Sequence, residues 1–93
     1  MRKKKFTLDD TSALFRLMKR SLPMDSEEWE TLAQNYKSMY AVPNKLPPRD
    51  ARSLQGRFKA FCQLSTPIRS TRRRQLRDEA LHLKDLMAEK VGW

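Results

Sequence analysis

The stretch Asp25-Ser26-Glu27-Glu28-Trp29-Glu30-Thr31-Leu32-Ala33-Gln34-Asn35-Tyr36 opens on Asp25 and Glu28 at capping-box spacing, with Asp in place of the more usual Ser or Thr. Trp29, Leu32, Ala33, Tyr36 and Tyr40 then mark a single stripe at the 3.6-residue period, which predicts a helix over residues 26–40 with that stripe, and Met39 beside it, turned to a core. Glu27, Glu28 and Glu30 lie on the outer side. A phosphate backbone would repel that face, so this helix is expected to turn it away from any polyanion.

On the N-terminal side, Leu8, Leu14, Leu17 and Met18, with Ala13 and Leu22 beside them, follow the same period, and Asp9 and Asp10 stand where a helix N-terminus favours negative charge. They predict a helix over residues 9–21, stopped by Pro23, which pushes the residue before it out of helical geometry. On the C-terminal side, Ala41-Val42-Pro43-Asn44-Lys45-Leu46-Pro47-Pro48 has no helical period and reads as a loop. Asp50 can cap a third helix running to about Leu64, with Ala51, Leu54, Phe58, Phe61 and Cys62 as its apolar stripe. Gly56 in its middle costs about 1 kcal/mol relative to Ala, and either allows close approach of something or is simply tolerated.

Ser65-Thr66-Pro67 ends that helix, and Ile68 to Thr71 form a short linker. Residues 72–90 then place Leu76, Ala80, Leu83, Met87 and Val91 on a heptad-like stripe with Leu81 and Leu86 on its flank. The stripe spans barely two heptads, fewer than the three or four a coiled coil usually needs. Packing on the three preceding helices is therefore expected, with homodimerisation the alternative. The fold class is all-α: a three-helix core over residues 6–64, preceded by a basic arm over 1–5 and followed by an amphipathic C-terminal helix within 65–93.

A chain of 93 residues is one domain's worth, and one this short buries only about 60–65% of its unfolded surface. Leu, Ile, Val and Phe make up 19 of its residues, so its core is small and depends on how they are spaced. The net charge of +9 is uneven: residues 1–22 carry +5, 23–48 carry −2, 49–74 carry +7 and 75–93 carry −1. Such a split suits two elements facing a polyanion, since each cation placed near a phosphate releases counterions; the plainer reading is a solvated basic surface. One cysteine, Cys62, and one histidine, His82, can supply neither an internal disulfide nor a four-ligand zinc site. No cofactor or small-molecule substrate is implied. No apolar run approaches a membrane span or a secretory signal, so no membrane partner is expected and the chain reads as intracellular. Arg2-Lys3-Lys4-Lys5 fits either a nuclear import signal or an arm following DNA phosphates.

Three large aromatics, Phe6, Trp29 and Phe58, are spaced one to each of the first three predicted helices. Phe6-Thr7-Leu8-Asp9-Asp10 followed by Leu14 resembles the opening of a Myb repeat. Trp29 with Leu32-Ala33 is similar to its second tryptophan and following aliphatic-Ala pair, and Arg52-Ser53-Leu54-Gln55-Gly56-Arg57-Phe58 resembles its end. The match covers residues 6 to about 64. Two of the three Myb tryptophans are Phe here, and the loop before the third helix is longer; with the fourth helix this makes the chain similar to the broader Myb/SANT-like and trihelix group. The Leu-Pro, Glu28-Trp29-Glu30 and Arg57-Phe58-Lys59 segments are also similar to Myb-like domains abundant in oomycete genomes. The resemblance implies a helix-turn-helix fold with Phe6, Trp29 and Phe58 as core triad, acting in the nucleus on double-stranded DNA as a transcription factor or mobile-element targeting domain. A SANT-type module binding a chromatin protein or complex subunit is the alternative it implies.

With Leu54, Phe58 and Phe61 facing the core, helical geometry sends Arg52, Gln55, Gly56, Lys59, Ala60 and Gln63 outward. The resemblance places base contacts at five of those positions, Arg52, Gln55, Gly56, Lys59 and Ala60. Gly56 and Ala60 offer no side-chain hydrogen bond, which leaves Arg52, Gln55 and Lys59 as base readers, with an ordinary solvated helix face as the alternative. Arg49, Arg57, Arg72, Arg73, Arg74, Lys3, Lys4 and Lys5 are expected on phosphates, which position a protein without reading sequence. Three Arg opening a helix oppose its dipole, so Arg72 to Arg74 are expected either in a disordered linker or held for an external anion. Asp9-Asp10 and Asp78-Glu79 point apart on a helix and are not expected to be catalytic. With no nucleophile, base and third group to assemble, an enzyme is not expected.

Overall fold

The computed structural model describes residues 6–64 and 69–91, and every regular element among them is helical. Helix α1 spans Leu8–Ser21, α2 Ser26–Tyr36, α3 Ala51–Cys62 and α4 Thr71–Val91, and a π-helical turn, Lys37–Ala41, continues α2. The expected break at Ser65-Thr66-Pro67-Ile68, the basic arm over 1–5 and the side chain of Val91 lie outside the described residues.

The first three helices open on side-chain caps, each worth about 1 kcal/mol. A complete capping box forms at α1, where Thr7 Oγ1 accepts from the Asp10 N–H at 3.1 Å and Asp10 Oδ2 accepts from the Thr7 N–H at 3.0 Å. Asp25 and Asp50 accept from the N–H groups of Glu28 and Ser53, at 2.9 and 2.8 Å. The box expected at α2 closes differently: Glu28 Oε1 accepts from the Met24 N–H at 2.9 Å, one residue before the cap. The Met24 N–H, and after it Lys90 of α4 with its Nζ 3.3 Å from Glu28 Oε2, hold the Glu28 carboxyl below its ordinary pKa.

The α-helical part of the predicted second helix ends at Tyr36 rather than at 40. Bonds from the Val42 N–H to the Lys37 carbonyl and from the Leu46 N–H to the Ala41 carbonyl, at 2.9 and 2.8 Å, each span five residues and widen the turn. The extra residue rotates the period. Ala41 becomes fully buried, Tyr40 points at α1, and Met39, expected in the core, is 55% exposed.

The core draws Leu14, Phe15 and Met18 from α1, Trp29, Leu32 and Tyr36 from α2, Leu54, Phe58 and Phe61 from α3, and Leu76, Ala80 and Leu83 from α4. Phe15, fully buried, stands edge-on to Phe58 and Phe61 with centroids 6.2 and 5.9 Å apart. Of the expected triad, Trp29 and Phe58 meet at 6.2 Å, and Phe6, half-buried, packs on the edge of the same core with its ring 6.3 Å from that of Tyr36. Phe6 precedes the cap residue Thr7 and so leads into α1 without lying on its buried stripe. The aromatic that α1 gives to the core is Phe15, on the stripe Thr11, Leu14, Phe15 and Met18.

Helix α4 lays Leu76, Ala80 and Leu83 against α1 and α3, so the heptad-like stripe is used within the chain. Cys62 Sγ donates to the Ala80 carbonyl at 3.7 Å, and Lys90 Nζ donates to the carbonyls of Ser21 and Leu22 at 3.3 and 3.0 Å. The second contact places a cation on the last turn of α1, where the dipole favours one. Leu22 ends α1 in the left-handed region, at φ 45°, and Lys45 adopts φ 55° in the loop.

Two substitutions check this account by urea unfolding. Phe15→Ala should cost about 3–5 kcal/mol, the range for truncating a buried aromatic. Lys45→Gly should raise stability by about 1 kcal/mol, since Lys45 is exposed and only its Cβ opposes that backbone geometry.

Candidate nucleic-acid interface

Burial of Ala51, Leu54, Phe58 and Phe61 turns the opposite side of α3 to solvent, and Arg52, Gly56, Lys59, Ala60 and Gln63 are all exposed there. From Arg52 to Gln63 this stripe runs about 16 Å along the axis. It holds no carboxylate, and among the described residues neither Arg52 nor Lys59 forms an ion pair. Of the expected base readers, Arg52 and Lys59 stand on the open stripe, while Gln55, half-buried, lies at its margin toward the core. Asp50 sits at the N-terminal end with its carboxyl held below the ordinary range, chiefly by bonding to Ser53 and also by the Arg52 charge.

Gly56 occupies the middle of the stripe. A Cβ built there would meet nothing within 4 Å, and its φ is not positive. Neither packing nor backbone geometry inside the fold requires glycine, although it costs about 1 kcal/mol of helix propensity.

The arginines expected beside the stripe have inward roles. Arg57 Nε donates to Thr11 Oγ1 and its Nη2 to the Phe6 carbonyl, both at 2.9 Å, and its guanidinium lies 5.0 Å from the Phe6 centroid and 5.1 Å from that of Phe61. Burial, and then the charge of Arg73, lower its pKa from the ordinary value. Arg49, half-buried, stacks 5.0 Å from the Phe6 centroid. Both guanidiniums, expected on phosphates, are half-buried against the Phe6 ring, and Arg57 is also hydrogen-bonded within the fold.

Arg72, Arg73 and Arg74 form the first turn of α4. Ser70 caps it, its Oγ accepting from the Arg73 N–H at 3.2 Å, and Arg72 pairs with Asp9 in the first turn of α1. The cap and the pair offset the dipole conflict that made a disordered linker one of the expectations. Arg73 and Arg74 remain exposed. Lys3, Lys4 and Lys5, the other expected phosphate contacts, lie outside the described residues.

A polar network absent from the sequence reading fixes α3 against α1. Thr11, fully buried, donates to the Thr7 carbonyl at 3.0 Å while receiving Arg57, and Asp10, 4% exposed, accepts from the Tyr40 hydroxyl at 2.6 Å. Thr7 and Asp10 already stood at capping-box spacing, and Thr11 falls on one stripe with Leu14, Phe15 and Met18; those were the signals available. His82 is exposed, and among the described residues no three His, Cys, Asp or Glu side chains gather as for a metal. None of the described helices is long and apolar enough to cross a membrane.

Burial and then the Asp10 charge push Tyr36 up to about 12, and burial followed by the bond to Asp10 raises Tyr40 further above its ordinary value. Unfolded phenols titrate near 10, so the stability these neutral phenols supply is fully present below about pH 10 and is lost as pH rises through the folded values. The chain has only two tyrosines, so an alkaline titration reads these alone. Tyrosinate absorbance should lag well behind that of free tyrosine and rise together with loss of helical circular dichroism. Ionisation near pH 10 with the helices intact would contradict the network.

No family model matches this chain, and neither does any curated protein or solved structure at a significant level.

Proposed function

We propose that this protein is a DNA-binding module of helix-turn-helix type that lays α3 in the major groove. The observation that carries the reading is the open, acid-free stripe of α3, with Arg52 and Lys59 on either side of a glycine that the fold itself does not use. An α-helix fits the major groove, Arg and Lys match guanine O6 and N7, and Gln matches adenine N6 and N7. Arg52 and Lys59 read bases in this account, with Gln55 joining from the margin. Exposed Arg73 and Arg74 hold phosphate, and Gly56 lets the helix backbone approach the groove closely. The acidic outer face of α2 stays away from the duplex. The module then works in the nucleus as a transcription factor domain or as the targeting part of a mobile-element protein.

Titration with duplex DNA at two salt concentrations tests the class: with Arg73 and Arg74 on phosphate, affinity should fall with a log-log slope of about −2 or steeper. Salt-independent binding, or none at low salt, would refute it. A pull-down that recovers a stable protein complex and no nucleic acid would favour a SANT-type role instead, with an acidic partner because α3 is basic.

Single substitutions assign the residues. Arg52→Ala should cost about 1–3 kcal/mol and alter sequence preference, whereas Arg73→Ala should weaken all sequences alike and reduce the salt slope by about 1. Gly56→Ala separates fold from function, because it should stabilise the free protein by about 1 kcal/mol yet weaken DNA binding. A variant that gained stability and bound DNA as well as the parent would remove the close-approach role.

A further inference from the structure

Three large apolar side chains are exposed among the described residues: Met39 at 55%, Val42 at 61% and Leu81 at 39%. Met39 and Val42 belong to the π turn and its exit, and Leu81 to the outer side of α4. Between α1 and the π turn lies a groove of about 210 Å³ whose walls are Ala13, Leu17, Met39 and Tyr40 and whose rim carries Arg16 and Arg20. Small-molecule sites typically enclose about 300–1,000 Å³, so this groove suits one or two side chains. Its lining contains no carboxylate. The chemistry it selects is an apolar side chain bracketed by acids.

Helix α4 presents that chemistry. Leu81 is exposed on the side opposite Leu76, Ala80 and Leu83, with exposed Asp78 three residues before it and exposed Asp85 four after. The two carboxylates stand about 10 Å apart along the axis, on either side of the leucine. Arg77 contacts Asp78 from the adjacent position, yet the Asp78 side chain stays 64% exposed. The acidic face of α2 is a poorer match, since beside Glu27 and Glu30 it exposes Ser26, Thr31, Gln34 and Asn35 and no large apolar group.

We propose that the groove between α1 and the π turn receives the outer strip of α4 from a second copy of this chain, Leu81 entering among Ala13, Leu17, Met39 and Tyr40 while Asp78 and Asp85 face Arg16 and Arg20. Made reciprocally, the contact occurs twice in a two-fold dimer. Each copy carries +9, which opposes approach at long range. At physiological ionic strength the screening length is about 8 Å, so that repulsion is damped while charges in contact are affected less. The contact uses no residue of the α3 stripe, so it goes beyond the DNA-binding reading and is independent of it.

Sedimentation equilibrium of the full chain without DNA, at rising concentration, tests the proposal. The weight-average mass should climb from 11.0 kDa toward the dimer value. Leu81→Glu, an exposed position where the fold is retained, should weaken association at least about tenfold, as expected of a central anchor, with unchanged helical circular dichroism and unchanged DNA binding per monomer. Asp78→Arg with Asp85→Arg, and separately Arg16→Asp with Arg20→Asp, should each give monomers, and a mixture of the two variants should associate again. A parent chain that stays monomeric at its highest soluble concentration overturns the proposal. So does a Leu81→Glu variant that associates like the parent, or a charge-swapped mixture that does not recover. Failure of DNA binding in every variant and in the parent would instead count against the DNA reading alone.

Discussion

The Arg57 guanidinium is bound to the Thr11 hydroxyl on α1 and to the carbonyl of Phe6, and it lies against the rings of Phe6 and Phe61. One side chain of α3 thus reaches the entry of the chain, the first helix and the aromatic core at once. Thr11 passes the connection to the Thr7 carbonyl, and Thr7 and Asp10 bind each other in a cap that also receives Tyr40 from the π turn. A partly buried cation is tolerable only when its donors are satisfied, and a buried network of this kind tolerates few alternative arrangements. In a chain with so small an apolar core, it fixes the rotation of α3 about its own axis. That rotation turns Leu54, Phe58 and Phe61 inward, and in consequence Arg52, Gly56 and Lys59 outward.

The same interaction changes what the charge of the chain means. Residues 49–74 carry a formal +7, yet Arg49 and Arg57 are half-buried against Phe6. Arg52, Lys59, Arg69, Arg72, Arg73 and Arg74 are exposed, Arg72 paired with Asp9. Counting charge by segment therefore locates the basic region correctly but overstates what a polyanion could reach. The surface that remains has a sharper pattern than the sequence: a narrow basic stripe on α3, a pair of arginines at the start of α4, and an acidic outer face on α2.

The helices were legible because their signals are local. Apolar residues at the 3.6 period and the caps Asp25 and Asp50 depend on neighbours a few positions away, so α2 and α3 begin where the sequence places them. The misplaced features depend on contacts between elements. Phe6 packs on the edge of the core, half-buried, because it leads into α1 rather than lying on its buried stripe; the fully buried aromatic of α1 is Phe15, adjacent to Leu14. The inward contacts of Arg57 and Arg49 were not legible because only the assembled core brings Thr11 and Phe6 within their reach. The π turn escaped notice because a single inserted residue per turn leaves no periodic trace over five positions, and it exchanged the fates of Met39 and Ala41. On the candidate interface, Arg52 and Lys59 stand where helical geometry sends them, whereas Gln55, nearer in angle to the core stripe, is half-buried.

Gly56 and the π turn both depart from local rules beside surfaces that remain open, and for the π turn the burial of Ala41 and the Tyr40 bond to Asp10 offset part of the cost inside the molecule. Gly56 weakens α3 at a position where any small side chain would fit. The π turn interrupts the period of α2 and leaves Met39 in solvent beside Arg16 and Arg20. Local choices that disagree with an otherwise consistent fold are expected where a site is built. In the proposed DNA reading, Gly56 lets a groove in a polyanion come close to a helix backbone flanked by cations. In the proposed dimer, an acid-flanked leucine covers the apolar groove rimmed by cations beside the π turn. The two proposals call on different chemistry at different faces of one small scaffold.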